Sequence, residues 1–229
     1  MKLDWQHAVD LGTTSYELGE SIWSMLPALA TSAGDGSRSD HKFGLKEFKR
    51  RLRQYYHANR TDSRLPLGRF GLTKIKGRGH PKLKAKAVQT KRLVPFGLGL
   101  AEEFRALHGE MGEHRYQSLR YVDRICGLAS RRELRTQDLA NWRWWQAVHM
   151  WHYTQAGYRV YPKFHFAMHL PQQIECGGAP RMFWVYSDES KNGQVRDIWR
   201  MCSKGHSVHQ QILLHLIWLF ELKAQAARL

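Results

Sequence analysis

Apolar residues recur at the three- and four-residue spacing of an α-helix along most of this 229-residue chain. The pattern predicts long helices near residues 3–30, 42–58, 113–130 and 135–157. Loops rich in Gly, Ser and Pro separate these segments, and only residues 183–186 have the composition of a short strand. We therefore expect an all-α fold, an irregular multi-helix bundle.

Single residues predict where several helices begin or bend. Asp40 and Thr136 suit N-cap positions, because their side-chain oxygens can accept hydrogen bonds from the first helical turn. Pro162 suits the first turn of one helix over residues 162–175. Pro95 is expected to kink or divide the helix that contains it, because proline has no backbone N–H to donate.

Charge is distributed very unevenly along the chain. Residues 36–94 contain 18 Lys and Arg and three acids, so this segment carries +15 of the formal net charge of +16. Within it, residues 59–81 interleave Arg and Lys with Gly and Pro, which predicts a basic, mobile loop or arm. Composition thus divides the chain into an N-terminal helical segment (1–34), a basic helix with a flexible, partly disordered insertion (35–81) and a helical domain (82–229).

A concentration of positive charge of this kind favours a polyanion as partner. Lys and Arg neutralise phosphates and release counterions, and the aromatic residues among them can stack on bases. The alternative is a solvated loop without a partner. The predicted nucleic-acid contacts are Lys46, Lys49, Arg50, Arg53, Arg69, Lys74, Lys76, Arg78, Lys82, Lys84, Lys86, Lys91 and Arg92, with Phe48, Tyr55, Tyr56 and Phe70 as candidate stacking rings.

Two further groups of residues could carry chemistry. His165 and His169 lie four apart, so on one helix both imidazoles share a face and can converge on a metal or a phosphate. A packed helix with hydrogen-bonded core histidines is the alternative. Asp188 and Glu189 can hold a divalent cation, or they can simply occupy a helix N-terminus.

Several other classes of protein fit the sequence poorly. Three scattered cysteines do not make a disulfide framework. Two of them make, with two histidines, only a loosely spaced zinc set: Cys176, Cys202, His206 and His209. The longest apolar run, residues 212–222, is about half of the roughly 20 residues that span a bilayer. We expect no membrane association and an intracellular protein, and no Walker loop, nucleophile elbow or kinase signature is present.

Four segments together resemble a known family. "KRLVPFGLGLAEEF", "LRTQDLANW", "YPKFHFAMHLP" and "GGAPRMFWVYSDE" are similar, in this order, to the C-terminal region of CACTA (En/Spm)-type transposases and related protist mobile-element proteins. The resemblance covers roughly residues 80–222. It implies a DDE-type transposase with an RNase H-like core, in which two aspartates on a β-sheet and a later glutamate bind two divalent metal ions, Mg²⁺ or Mn²⁺.

The resemblance also implies roles for individual residues. The family's glutamate falls on Glu189, next to Asp188 as a metal ligand, and its histidine pair falls on His165 and His169. Residues 1–80 do not have the pattern of an RNase H sheet, so the first two aspartates lack counterparts. The chain thus resembles the C-terminal part of such an enzyme, and we do not expect it to be active alone.

Three functions remain open from the sequence. The first is a transposase-derived, nuclear nucleic-acid-binding protein or fragment, with DNA favoured over RNA. The second is an active metal-dependent transposase or nuclease subunit whose missing aspartates come from elsewhere. The third is a structural protein of an RNA-rich complex.

Overall fold

The computed structural model describes residues 6–33, 40–61, 63–177 and 180. It divides the chain into two compact units, Met1–Trp184 and Val185–Leu229, and the described residues all belong to the first unit. Over these residues the fold is all-α, as the sequence predicts, and it contains no β-strand there. Its α-helices are α1 (Thr14–Ser32), α2 (His41–Ala58), α3 (Ala87–Glu103), α4 (Gly109–Ala129), α5 (Thr136–Gln155), α6 (Pro162–Met168) and α7 (Leu170–Gly177), with a π-helical segment, Gln6–Thr13, before α1.

Helix α1 lies at the centre of the bundle and packs against α2, α3 and α4, while α5 packs mainly on α4. Its apolar face is fully buried, and Leu18, Met25 and Leu29 have no exposed surface. Helices α1 and α2 approach so closely that a Cβ on Gly44 would clash with the Leu26 carbonyl. The central helix therefore fixes the position of the basic helix α2.

The basic insertion is packed onto this core, which corrects the expectation of a flexible arm for residues 59–61 and 63–81. Its path is irregular, with short 3₁₀ turns at Leu67–Arg69 and Leu72–Lys74. Isolated apolar side chains hold it down, because Leu65, Phe70 and Ile75 are all buried in the hydrophobic core. Gly and Pro thus prevent a helix here, although the segment is packed onto the core.

The chain after the insertion is attached directly to α1. The Leu83 amide donates to the Ser15 carbonyl at 2.8 Å. A Cβ on Gly19 would clash with the backbone of Lys82 and Leu83. The N-terminal segment, the basic insertion and the following helices contribute to one hydrophobic cluster.

The predicted helix ends agree with the structure in part. The Asp40 carboxylate accepts from the Lys42 amide at 3.1 Å, which confirms the N-cap of α2. Pro162 begins α6 as predicted. Thr136 is not an N-cap, because it is the first residue inside α5 and Arg135 takes the cap position.

Proline also acts differently from the prediction at two places. Pro95 lies inside α3, which stays continuous, so the expected division of that helix is wrong. The single helix expected over residues 162–175 is instead two helices, α6 and α7, that meet at His169. Pro171 explains this break, because it cannot donate to the carbonyl four residues earlier and disfavours helical geometry just before it. The strand predicted over residues 183–186 lies outside the described residues.

Candidate nucleic-acid interface

Helix α2 presents opposite properties on its two faces. Leu45, Phe48 and Leu52 are buried against the core. On the adjoining, solvent-facing side of the helix Lys46 and Arg53 are exposed and Lys49 is half-buried. We call Lys42, Lys46, Lys49 and Arg53 the basic ridge, because steps of three and four residues align their side chains along the helix.

An acid within the same helix anchors two other arginines. The buried Glu47 carboxylate accepts from Arg50 Nε at 2.7 Å and from Arg51 Nε at 2.8 Å. The hydrogen bond from Arg50, followed by that from Arg51, lowers the pKa of Glu47 to about 2. Arg51 also donates to Glu103 at 2.6 Å and so joins α2 to α3. Arg50 and Arg51 are therefore paired, whereas the ridge residues have no acidic partner within the described part of the chain.

The basic insertion runs beside α2 and adds further exposed charge. Arg64 Nη2 donates to the Tyr56 carbonyl near the C-terminal end of α2, at 3.2 Å. Lys76 lies near the other end, over the ring of Trp23, which stacks on His41. Of the cations predicted to contact nucleic acid, Arg69, Lys74 and Arg78 are exposed on the insertion, and Lys84 and Lys86 are exposed on the segment that follows it.

Two of the predicted contacts face the protein instead. The Lys76 ammonium lies 4.8 Å from the centroid of the Trp23 ring. The Lys82 ammonium lies 4.6 Å from that of Tyr16. Burial, followed by the nearby charge of Lys163, lowers the pKa of Lys82. These two lysines stabilise the packing of the insertion on α1, which leaves them less available to a phosphate.

Most of the predicted stacking rings are not available either. Phe48, Phe70 and Tyr56 are between 0% and 5% exposed, so these rings belong to the core and their predicted role in stacking is wrong. Tyr55 differs, because it is half-buried and reaches the surface. Its ring packs against Phe96 with centroids 5.2 Å apart, which holds it in place.

A pocket of about 580 Å³ lies at the C-terminal end of α2, between that helix, α3 and α4. Its positive charges are Arg60, Lys91 and Arg92, and it also contains the carboxyl group of Asp123, whose pKa is raised by burial. The remaining wall residues are Tyr55, Ala58, Asn59, Thr61, Pro95, Cys126, Gly127 and Ser130. The sequence predicts Lys91 and Arg92 as contacts, but no spacing pattern connects them with Arg60 or Asp123.

The histidine pair meets as the sequence predicts. The Nε2 atoms of His165 and His169 are 3.2 Å apart, although α6 ends between them. Both side chains are exposed, which excludes the alternative of core histidines. No third ligand completes a metal site, because the described residues contain no group of three or more His, Cys, Asp or Glu that could hold an ion.

The predicted carboxylate ligands cannot be added to this pair. Asp188 and Glu189 lie outside the described residues, as do Cys202, His206 and His209 of the loosely spaced zinc set. The described residues therefore contain no ligand group that matches the two-metal centre implied by the transposase resemblance. The RNase H-like sheet is likewise not found among them.

A buried polar network joins three helices in the centre of the bundle. Glu17 on α1, which has no exposed surface, accepts from Ser118 on α4 at 2.8 Å. His149 on α5, 1% exposed, lies with its Nε2 atom 3.2 Å from the same Glu17 oxygen. Sequence reasoning missed this network, because its members are 101 and 132 positions apart.

No helix among the described residues is both long and apolar enough to cross a membrane. Comparison with known proteins gives no relative: no family model matches the chain, and it matches no curated protein and no solved structure.

Proposed function

We propose that this chain is a nucleic-acid-binding protein that contacts phosphates through the basic ridge and the exposed cations of the neighbouring insertion. The observation that carries the proposal is the unpaired state of the ridge. Lys42, Lys46, Lys49 and Arg53 are aligned on one face of an anchored helix, without an acidic partner among the described residues. A polyanion is the ligand that best matches such a surface.

The packing of the insertion strengthens this proposal. A mobile basic arm must be ordered when it binds, which costs free energy. Here Leu65, Phe70 and Ile75 fix the backbone in advance. The backbone positions of the cations between these anchors, Arg69 and Lys74, are therefore set before the ligand arrives.

The test is the salt dependence of binding. A labelled 20-nucleotide single strand and a 20-base-pair duplex, each as DNA and as RNA, are titrated with the full chain between 50 and 200 mM salt. If about six phosphates are contacted, affinity for the duplex should fall by roughly 10³-fold across this range. Changing all four ridge residues to Gln should flatten the slope. Affinity that does not respond to salt would contradict the proposal.

We propose DNA as the preferred ligand and the nucleus as the location, on the basis of the resemblance to CACTA-type transposases. The same resemblance motivates the proposal that the chain derives from such an enzyme and does not act alone. Tighter binding of RNA than of DNA at equal salt would favour a structural role in an RNA-rich complex instead.

The alternative of an active enzyme has its own test. The full chain is incubated with plasmid DNA and Mg²⁺ or Mn²⁺, alongside the Glu189→Ala variant. Cleavage that requires the metal and is lost in the variant would establish a metal-dependent nuclease or transposase subunit. We expect no cleavage by either protein.

A further inference from the structure

The pocket at the end of α2 continues the line of the basic ridge. Beyond Arg53, steps of four and three residues lead to His57, which is exposed, and to Arg60, which lies just past the end of the helix. Arg60 is part of the pocket wall. A strand whose phosphates follow the ridge is therefore led to the mouth of this pocket.

The pocket wall combines cations, apolar rings and a carboxyl group, whereas binding a phosphate alone would require only the cations. Arg60, Lys91 and Arg92 supply positive charge from two separate elements. The ring of Tyr55 and the ring of Pro95 supply an apolar surface. Asp123 supplies a carboxyl group, which disfavours a simple anion and an acidic peptide but accepts hydrogen bonds from the amino groups of a base.

The volume of the pocket also fits a nucleic-acid base. About 580 Å³ lies within the range of roughly 300–1,000 Å³ that is typical of small-molecule sites. A base that is stacked and paired in a duplex cannot enter a concave site without leaving the stack. A strand that is already unpaired presents its bases freely, and aromatic surfaces bind such bases by stacking.

We propose that this pocket binds one unpaired nucleotide of a strand whose phosphates lie along the basic ridge. Arg60 and Arg92 neutralise the phosphate of this nucleotide, Tyr55 packs against its base, and Asp123 accepts from the edge of the base. The inference rests on the proposed function for the position of the strand. The pocket itself can be tested without it.

One substitution closes the pocket without disturbing the core. Gly127 lies on α4 in the pocket wall, is exposed, and has no atom within 4 Å of the position of an added Cβ. Gly127→Trp should therefore fill the pocket and leave the helix intact. The matched control is Gly99→Trp, because Gly99 is exposed on α3, is equally open and does not line the pocket.

The first experiment measures binding of dAMP, dCMP, dGMP, dTMP and inorganic phosphate to the full chain. The wild type and Gly99→Trp should bind the nucleotides at least tenfold more tightly than phosphate, and Gly127→Trp should lose this difference. Equal binding of phosphate and nucleotides by the wild type would overturn the proposal. This result does not depend on whether the ridge binds a strand.

The second experiment compares a 12-nucleotide single strand with a blunt 12-base-pair duplex at one salt concentration. Gly127→Trp should weaken binding of the single strand about tenfold and leave the duplex unchanged. Steep salt dependence with no effect of Gly127→Trp would overturn the pocket while the proposed function stands. If Gly99→Trp also lost nucleotide binding, the loss in Gly127→Trp would reflect a general defect and not the filled pocket. This result would also overturn the pocket proposal.

Asp123→Asn separates base recognition from a simple effect of charge on nucleotide binding. The change removes a negative charge, so charge alone predicts equal or tighter binding of every nucleotide. Base recognition predicts instead that the differences among the four nucleotides shrink, because the amide replaces one of the two acceptor oxygens of the carboxyl group with a donor. Uniform tightening of all four would contradict the role of Asp123.

Discussion

The basic ridge and the buried Glu17 network use charged and polar side chains in opposite environments. The ridge holds its cations on the exposed face of α2, without acidic partners among the described residues. The network holds its carboxylate in the centre of the bundle, where Ser118 and His149 lie at hydrogen-bond distance from one oxygen. A change in the ridge should therefore affect binding and leave stability nearly constant, whereas a change in the network should do the reverse.

The difference follows from the cost of burying charge. An exposed cation remains solvated, and its interactions are screened by salt. A buried carboxylate loses its hydration and must obtain hydrogen bonds from the protein in return. If either the carboxylate or its hydrogen-bonding partners are removed, the polar groups that remain are buried without hydrogen bonds. The free energy of unfolding is thus the quantity that separates the two regions most clearly.

The largest effect on stability is expected for Glu17→Ala. The substitution leaves the Ser118 hydroxyl and the His149 imidazole without the carboxylate that they contact in the core. Leaving these two buried polar groups without their partner should lower the free energy of unfolding by about 2–5 kcal/mol, since each such group costs about 1–3 kcal/mol. Urea denaturation at pH 7 measures this, with Glu133→Ala on the exposed α4–α5 turn as control. A loss below about 1 kcal/mol would show that the network does not stabilise the fold.

Glu47→Gln should have an intermediate effect, because Glu47 lies at the boundary between core and surface. Its folded pKa of about 2 is below its ordinary value of 4.5. The stabilisation is therefore present above pH 4.5 and is lost as the pH falls toward 2. Because Arg50 is largely exposed, we expect a loss of only about 1–2 kcal/mol at pH 7.

Two measurements check this expectation. The difference between Glu47→Gln and the wild type should stay constant from pH 7 to about pH 5 and then shrink as the pH falls below 4.5 toward 2. Glu103→Gln is the matched control, because the Glu103 carboxylate accepts from Arg51 but is 49% exposed. Equal losses in the two variants, or a difference that does not depend on pH, would contradict the assignment.

These elements also show what could be predicted from the sequence. The existence of α2, α4 and α5 followed from local periodicity. Three ridge residues, Lys46, Lys49 and Arg53, were predicted as contacts, whereas Lys42 was missed and the predicted Arg50 is paired with Glu47. The insertion was misjudged, because isolated apolar residues such as Phe70 and Ile75 give no periodic signal although each is anchored in the core.

The pocket and the network could not be predicted for a related reason. Arg60, Arg92 and Asp123 meet only after α2, α3 and α4 have packed. Glu17 and His149 are even further apart along the chain. Spacing rules relate residues within one element, and these sites depend on tertiary packing between elements. The histidine pair was predictable because its two members are only four residues apart.

Glu20→Gln should increase stability, and only at higher pH. Burial, followed by the charge of Glu17, raises the pKa of Glu20 from 4.5 to about 7. The folded state thus holds a proton that the unfolded state releases, so stability falls as the pH rises from 4.5 through about 7. Glutamine removes this penalty. Since Glu20 is only partly buried, we expect a gain of about 1 kcal/mol at pH 8 and none at pH 4.

Thermal or urea unfolding of Glu20→Gln at these two pH values checks the sign of the effect. Glu102→Gln on the exposed side of α3 serves as control, and it should be neutral at both. A loss of stability in Glu20→Gln at pH 8 would show instead that the Glu20 charge is compensated in the folded state. Lys76 is the candidate for this, because its charge lowers the pKa of Glu20.

The smallest effect on stability, and a clear one on binding, is expected for Lys46→Gln. Lys46 is exposed on the ridge, so the free energy of unfolding should change by less than about 0.5 kcal/mol. If Lys46 contacts one phosphate, the plot of log affinity against log salt should become shallower by about 0.7–0.9. Arg143→Gln on α5 removes the same charge away from the ridge and should leave the slope unchanged. If Lys46→Gln lowered the free energy of unfolding but left the salt slope of binding unchanged, the contrast between the ridge and the Glu17 network would be wrong. Lys46 would then support the fold, and the phosphates would have to bind elsewhere.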